Sequence, residues 1–230
     1  MLGLGVAETE AILLSLKVAL WATALGLPFA FFVAYALTRW SFSGRGLLNI
    51  LVHLPLVMPP VVTGYLLLLA FGRRGPVGAW LESAFGFVLA FRWTGAVLAA
   101  ALMGLPLVVR AIRLALEAVD PKLEAAAGTL GARPARVFLT VTLPLALPGV
   151  LSGAVLGFAK AMGEFGATIT FVSNIPGETQ TIPLAVNTLL EIPGSEPLAL
   201  RLAVVSILLS AVAIWLSELL AARIQKRRGT

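Results

Sequence analysis

Lys160 and Glu164 stand four residues apart in a run of sequence that otherwise lacks charge. At that spacing two side chains share one face of a helix. Ionised groups deep in an apolar segment normally face a bundle interior or a water path. Two roles fit: Lys160 draws an anion along a path while Glu164 limits how tightly it is held, or the two form a self-neutralising structural pair. Thr168, Thr170, Ser173 and Asn174 follow, and their hydroxyls and amide can hydrogen-bond an anion in transit. Hydroxyls in membrane helices equally bond the local backbone or a neighbouring helix. The turn-rich stretch from Asn174 to Pro183 fits either a contact with another protein or a plain connection to a helix from Leu184. Covalent chemistry is not expected. Cys is absent, and the single His53 has no second His, no Cys and no acid close in sequence, so neither a nucleophile–base pair nor a metal site can be assembled. No Gly-x-x-x-x-Gly-Lys loop is present, so ATP is not hydrolysed by this chain, and no cofactor is expected.

The elements that position these residues are apolar helices. Of 230 residues, 59% are hydrophobic and 12% charged, with a mean hydropathy of +0.98. A soluble domain carries about 25% charged residues, and this excess of apolar surface calls for lipid as solvent. The net charge of +6 does not point to nucleic acid, because the basic residues fall between long apolar runs instead of forming one patch. Five spans are expected: Ala11 to Thr38, Leu47 to Phe71, Thr94 to Val109 and on towards Ala115, Leu145 to Phe171, and Leu202 to Ala222. The apolar stretch Ala79 to Phe91 is short for a crossing and reads as interfacial or re-entrant, leaving a sixth span open. No basic stretch follows Met1, so the first run is expected to remain as an anchor. Pro28, Pro55, Pro59, Pro60, Pro106 and Pro148 lie in or near spans and tend to kink them. The fold class is therefore all-α: a single polytopic membrane domain over 1–230 with one long polar loop, 110–144.

Orientation follows from the loops. With the N-terminus outside, the inner segments hold Arg39, Arg45, Arg110, Arg113, Lys122, Arg133, Arg136, Arg223, Lys226, Arg227 and Arg228, against Arg73, Arg74, Arg92 and Arg201 outside. That bias places the C-terminus in the cytoplasm. Arg73 and Arg74 are the chief conflict, and read either as a basic outer vestibule or as residues tolerated beside a tight turn.

The inner loop carries the most information. Asp120 is a good N-cap, Pro121 fits the first helical position, Lys122 to Leu130 favours helix, and Gly131 suits the C-cap. Pro134 to Thr140 is a second turn leading to Leu143 and Pro144. Ala125, Ala126 and Ala127 give the helix a nearly side-chain-free face, which suits close approach to a groove on a partner. This loop resembles the EAA motif of the permeases of ATP-binding-cassette importers: Glu-Ala-Ala, three residues, Gly, nine residues, an aliphatic residue, any residue, then Leu-Pro. Ala126, Ala127, Gly131, Val141, Leu143 and Pro144 match; Ala125 occupies the Glu position, and Glu124 stands one residue early. The resemblance implies that this segment, with Glu124, Ala125, Ala126, Ala127, Leu130, Gly131, Leu143 and Pro144, couples the chain to a cytoplasmic ATP-binding subunit.

The stretches HLPLVMPPVVTGYLLL (His53–Leu68), VVRAIRLALE (Val108–Glu117) and GEFGATITFVSNIPGETQTIPLA (Gly163–Ala185) resemble the molybdate branch of that family. Sulfate permeases share a related Gly-Glu-Phe-Gly segment. The resemblance implies a homodimer in the cell inner membrane, served by a periplasmic oxyanion-binding protein, with molybdate as cargo and tungstate or sulfate as alternatives. A stand-alone secondary carrier is the rival reading. Such carriers usually show internal repeats, none is evident here, and the Ala-faced loop would then have no purpose.

Overall fold

The computed structural model describes residues 5–226, and Arg227 and Arg228, counted above for orientation, lie outside the described residues. Among the described residues all regular structure is helical. The elements are α1 (Val6–Arg39), α2 (Arg45–Val57), α3 (Pro60–Phe71), α4 (Pro76–Phe85), α5 (Trp93–Glu117), α6 (Pro121–Thr129), α7 (Pro134–Val137), a π turn (Phe138–Thr142), α8 (Leu143–Met162), α9 (Gly166–Val172), α10 (Ile182–Leu190) and α11 (Glu196–Lys226).

Four helical segments are long and apolar enough to cross a membrane: α1, α5, the run Pro134–Met162 that ends in α8, and Glu196–Leu216 of α11. A fifth crossing exists if the bent pair α2 and α3 is counted as one span. That pair corrects the reading of Leu47 to Phe71 as a single helix, because the two halves diverge by 117°. The physical reason is the tandem Pro59–Pro60, which removes two backbone donors and pushes each preceding residue out of the helical region; Met58 and Pro59 have ψ of 146° and 132°. The fourth span also differs. It begins at Pro134 instead of Leu145, running through the π turn into α8, and it stops at Met162, with Phe171 belonging to the separate α9. The stretch Ala79 to Phe91 supplies no sixth span: α4 ends at Phe85, where Gly86 takes the left-handed conformation of a helix stop.

Helix α5 is the centre of the bundle, packed by α1 on one side and α8 on another. One apolar cluster joins the N-terminal half of α1 to α5, α9 and α10, and includes Val18, Ala22, Met103, Phe171 and Ile182. A second joins the C-terminal half of α1 to the C-terminal half of α5 through Ala34, Leu37, Val109, Ile112 and Leu116. Close approach of α8 to α5 rests on Gly149, Gly153 and Gly157, one turn apart on one face. A Cβ on Gly149 would overlap the Cβ of Ala115, and one on Gly157 would lie 2.8 Å from Val108 Cγ2. This is the small-residue packing that lets membrane helices gain dispersion contacts without a hydrophobic drive. Gly149→Leu must therefore separate α5 from α8. A loss of about 1–3 kcal/mol is expected, read as a lower melting temperature in detergent. Unchanged melting would contradict the packing.

Candidate functional site

The polar loop forms the helix its sequence predicts. Asp120 Oδ1 accepts from the Lys122 backbone N–H at 2.9 Å, and Pro121 opens α6. At the other end Gly131 has a φ of +81°, the Ala132 N–H donates to the Ala127 carbonyl at 3.1 Å, and the Gly131 N–H donates to Gly128 at 2.9 Å. That pair of bonds is a Schellman stop, which needs a left-handed residue where glycine stands. No residue of α6 is buried within the chain. Ala125, Ala126 and Gly128 are exposed, Leu123 is 50% exposed and Leu130 is 89% exposed. A Cβ added to Gly128 meets nothing within 4 Å. Two exposed leucines beside a flat small-residue face make a surface that gains by docking.

Glu124 points the other way, into its own chain. Its Oε1 accepts from Arg39 Nη2 at 3.0 Å and from the Thr142 hydroxyl at 2.6 Å, and the same Arg39 nitrogen donates to the Leu116 carbonyl at 3.3 Å. One carboxylate thus joins α6 to the end of α1 and to the π turn, and Arg39 carries the link on to the end of α5. Beside it Phe138 packs edge-on against Tyr35 and Phe31, with ring centroids 5.4 and 5.9 Å apart. The geometry makes Glu124 a residue that holds α6 in place, while Ala125, Ala126, Gly128 and Leu130 face outward and Ala127 is half-buried. Leu143 and Pro144 are half-buried where α8 begins. Arg39→Met should cost about 2 kcal/mol by leaving Glu124 without its charged partner. Glu124→Gln should cost less, because the amide oxygen still accepts. The check is trypsin cleavage after Lys122 and Arg136, both exposed, which should quicken in Arg39→Met; an unchanged rate would remove Arg39 from the role.

The second site lies where the fourth span breaks. Lys160 is in the last turn of α8 and Glu164 lies in the break, so the two do not share one continuous helix as expected. Their ion pair forms nevertheless, Nζ to Oε2 at 2.9 Å. The other Glu164 oxygen accepts from the Ala167 N–H at 3.1 Å and caps the start of α9. The side chain of Glu164 is 2% exposed and that of Lys160 is 32% exposed. The buried carboxylate is held by a cation on one oxygen and a backbone N–H of a helix start on the other. The ammonium retains donors and access.

Helix α9 is seated against α3, the second half of the other broken span. A Cβ on Gly166 would come 2.7 Å from Pro60 Cβ, and one on Gly64 would meet the Ala167 backbone. Thr168 is buried, and the Thr170 hydroxyl donates to the Gly166 carbonyl of its own helix at 2.9 Å. Ser173 has a φ of +64°, and its carbonyl accepts from the Thr179 hydroxyl at 3.1 Å. Asn174 Nδ2 donates to the Thr188 hydroxyl at 2.7 Å, tying the loop to α10. These bonds hold α9, its following loop and α10 together; of this set, the Lys160 ammonium and the exposed Ser173 hydroxyl keep donors to offer. His53 Nδ1 lies 2.8 Å from the Asn49 carbonyl of its own helix.

Bonds between elements also sort the two ends of the bundle. Arg39 to Glu124, and Arg113 to Asn49 at 3.2 Å, gather the basic loop residues at one end. Ser15 accepting from Ile182 at 2.7 Å ties α1 to α10 towards the other. Arg73 forms only a 3.8 Å exposed pair with Glu82, beside the tight α3–α4 turn. Sequence reasoning missed Arg39 and Thr142, which lie far from Glu124 in the chain. It also missed Gly128, whose openness only the structure reveals.

The model of the family described as binding-protein-dependent transport system inner membrane component matches residues 26–226. The chain is 58% identical over 222 residues to the molybdenum transport system permease protein ModB of Escherichia coli (strain K12), covering 96% of this chain and 97% of that one. It is 57% identical over the same length to ModB of Haemophilus influenzae, with the same coverage. Among solved structures, a bacterial transporter importing the acidic polysaccharide alginate superposes with a TM-score of 0.75 at 16% identity, over 96% of this chain and 81% of that one. That likeness gives the fold of an importer permease.

Proposed function

This chain belongs to the binding-protein-dependent transport system inner membrane components, and from that premise we propose that it is the permease through which an ATP-driven importer carries molybdate. The observation that carries the reading is the pairing of two features. One is an outward-facing coupling helix latched to the bundle by Glu124; the other is an accessible ammonium, Lys160, at a break in a span. The first receives force from another protein, and the second suits a dianionic cargo. The partners proposed are a cytoplasmic ATP-binding subunit, a periplasmic oxyanion-binding protein and a second copy of this chain. The second copy would supply the far wall of the path, since an ammonium exposed on one chain at such depth is otherwise costly.

The mechanism follows as a two-state switch. ATP closes the ATPase pair and the docked α6 helices move together. The Arg39–Glu124–Thr142 junction passes that movement to α1, α5 and the π turn, and the spans exchange an inward-open for an outward-open cavity. A loaded binding protein then delivers the anion. A switch of this kind needs a partner that binds one state more tightly, and ATP hydrolysis in that partner supplies the difference.

The reading is tested by competition for radiolabelled molybdate uptake in cells producing the chain with its ATPase and binding protein. Excess unlabelled molybdate should suppress uptake and sulfate should not. Suppression by sulfate would reassign the cargo, and uptake that continues without the ATPase would favour a secondary carrier. The proposed orientation puts the N-terminus outside and 110–144 inside. An Ala132→Cys chain, in which that thiol is the sole one, should resist membrane-impermeant maleimide from the periplasmic side. Labelling there would invert the topology.

A further inference from the structure

Between α1 and α5 lies an elongated cavity of about 550 Å³ whose walls are almost wholly apolar. On α1 the wall is the row Trp21, Leu25 and Phe29; on α5 it runs from Trp93 through Leu98 to Leu105. Lys17 continues the α1 row one turn earlier, and its ammonium lies 3.6 Å over the Trp93 ring at the cavity's end. The row has the four-residue step that keeps side chains on one helix face. From Lys17 to Phe29 it spans about 18 Å along the helix axis. The hydrocarbon of one leaflet is about 15 Å thick.

Polarity changes in one direction along this groove. Its end holds the Lys17 cation, and no carboxylate among the described residues pairs with that ammonium. Arg92, exposed at the start of α5, is adjacent to Trp93 in the chain. Next comes Thr94, whose hydroxyl oxygen is buried without a hydrogen-bond partner and which also lines the cavity. Beyond it the walls carry only carbon. A glycerophospholipid has the same order: an anionic phosphate, ester carbonyls that accept hydrogen bonds, and then a hydrocarbon chain. The two tryptophans stand at the cation end, as interfacial aromatics do.

We propose that this groove is a binding site for an anionic phospholipid of the leaflet at the N-terminal end of α1. The phosphate is held by Lys17, an ester carbonyl accepts from Thr94, and one acyl chain lies between α1 and α5. A buried hydroxyl without a partner is costly, and the ester carbonyl satisfies it. The chain fills a volume that would otherwise leave the facing side chains without dispersion contacts. A helix of a second copy is the rival occupant, and it explains neither the cation nor the hydroxyl. The site is independent of the cargo and of ATP.

Brominated phospholipids, which quench tryptophan fluorescence on contact, test it in the full chain reconstituted in nanodiscs. With Trp40, Trp80 and Trp215 replaced by Phe, only Trp21 and Trp93 report. A cation near an anionic headgroup contributes about a fivefold preference. Brominated phosphatidylglycerol should therefore half-quench at about one-fifth the mole fraction required of brominated phosphatidylcholine. Lys17→Met should erase that preference and Lys17→Arg should keep it. Equal quenching by the two lipids, or a preference that survives Lys17→Met, overturns the proposal. So does protection from both lipids, which would mean that a second copy or another helix covers the groove.

Discussion

Gly128→Trp is expected to cut ATP-driven uptake by at least about fivefold while the chain still inserts and folds. Gly128 is helical and exposed, and a side chain there meets nothing of its own chain within 4 Å. Any large effect must then come from a surface that arrives from outside. Overfilling a packed interface costs about 1–3 kcal/mol, a factor of about 5–150 in affinity. The ATPase subunit should consequently be lost during purification. Gly128→Ala is the control and should leave uptake and co-purification intact. Gly131→Trp is a poorer probe, since its φ of +81° would strain any side chain whether or not a partner docks. Normal uptake and normal co-purification in Gly128→Trp would remove α6 from the interface.

The second large effect concerns the broken fourth span. Lys160→Met alone leaves Glu164 buried and charged without its cation, so loss of assembly is expected whatever Lys160 does. The double variant Lys160→Met with Glu164→Gln separates the roles. Both charges go together, and the Gln oxygen can still accept from the Ala167 N–H that caps α9. That variant should assemble, and it should transport at about a tenth or less of the parent rate if Lys160 contributes about 1.4 kcal/mol or more to the rate-limiting passage of the anion. An assembled double variant with normal uptake would make the ion pair structural only.

The helix α6 was legible in the sequence because its signals are local: Asp120, Pro121 and Gly131 act within one turn of their own positions. The breaks were legible only in part. Pro59 and Pro60 announce a disturbance, yet proline tells nothing of its size, and a kink was a fair expectation where the structure has a 117° reversal. No comparable signal marks the gap at Gly163 to Phe165. It is stabilised by distant contacts, with Gly166 against Pro60 and Gly64 against Ala167, and an apolar run reads the same with or without it. The partner of Glu124 was likewise hidden, since Arg39 lies 85 residues away and its loop position suited an orientation signal equally well. Its place in the chain one residue early gave no hint that it faces inward. Only the bonds to Arg39 and Thr142 separate the residue that latches the helix from those that face a partner.

In the proposed function this chain is a gate opened by a docked ATPase for an oxyanion handed over by a binding protein. Its most direct test is ATP turnover by the chain and its ATPase subunit in proteoliposomes, with the binding protein supplied on the outer side. Molybdate-loaded binding protein should raise turnover and drive molybdate into the lumen, and Gly128→Trp should abolish both. Turnover indifferent to the loaded binding protein, or molybdate entry that proceeds without ATP, would rule out an ATP-driven gate.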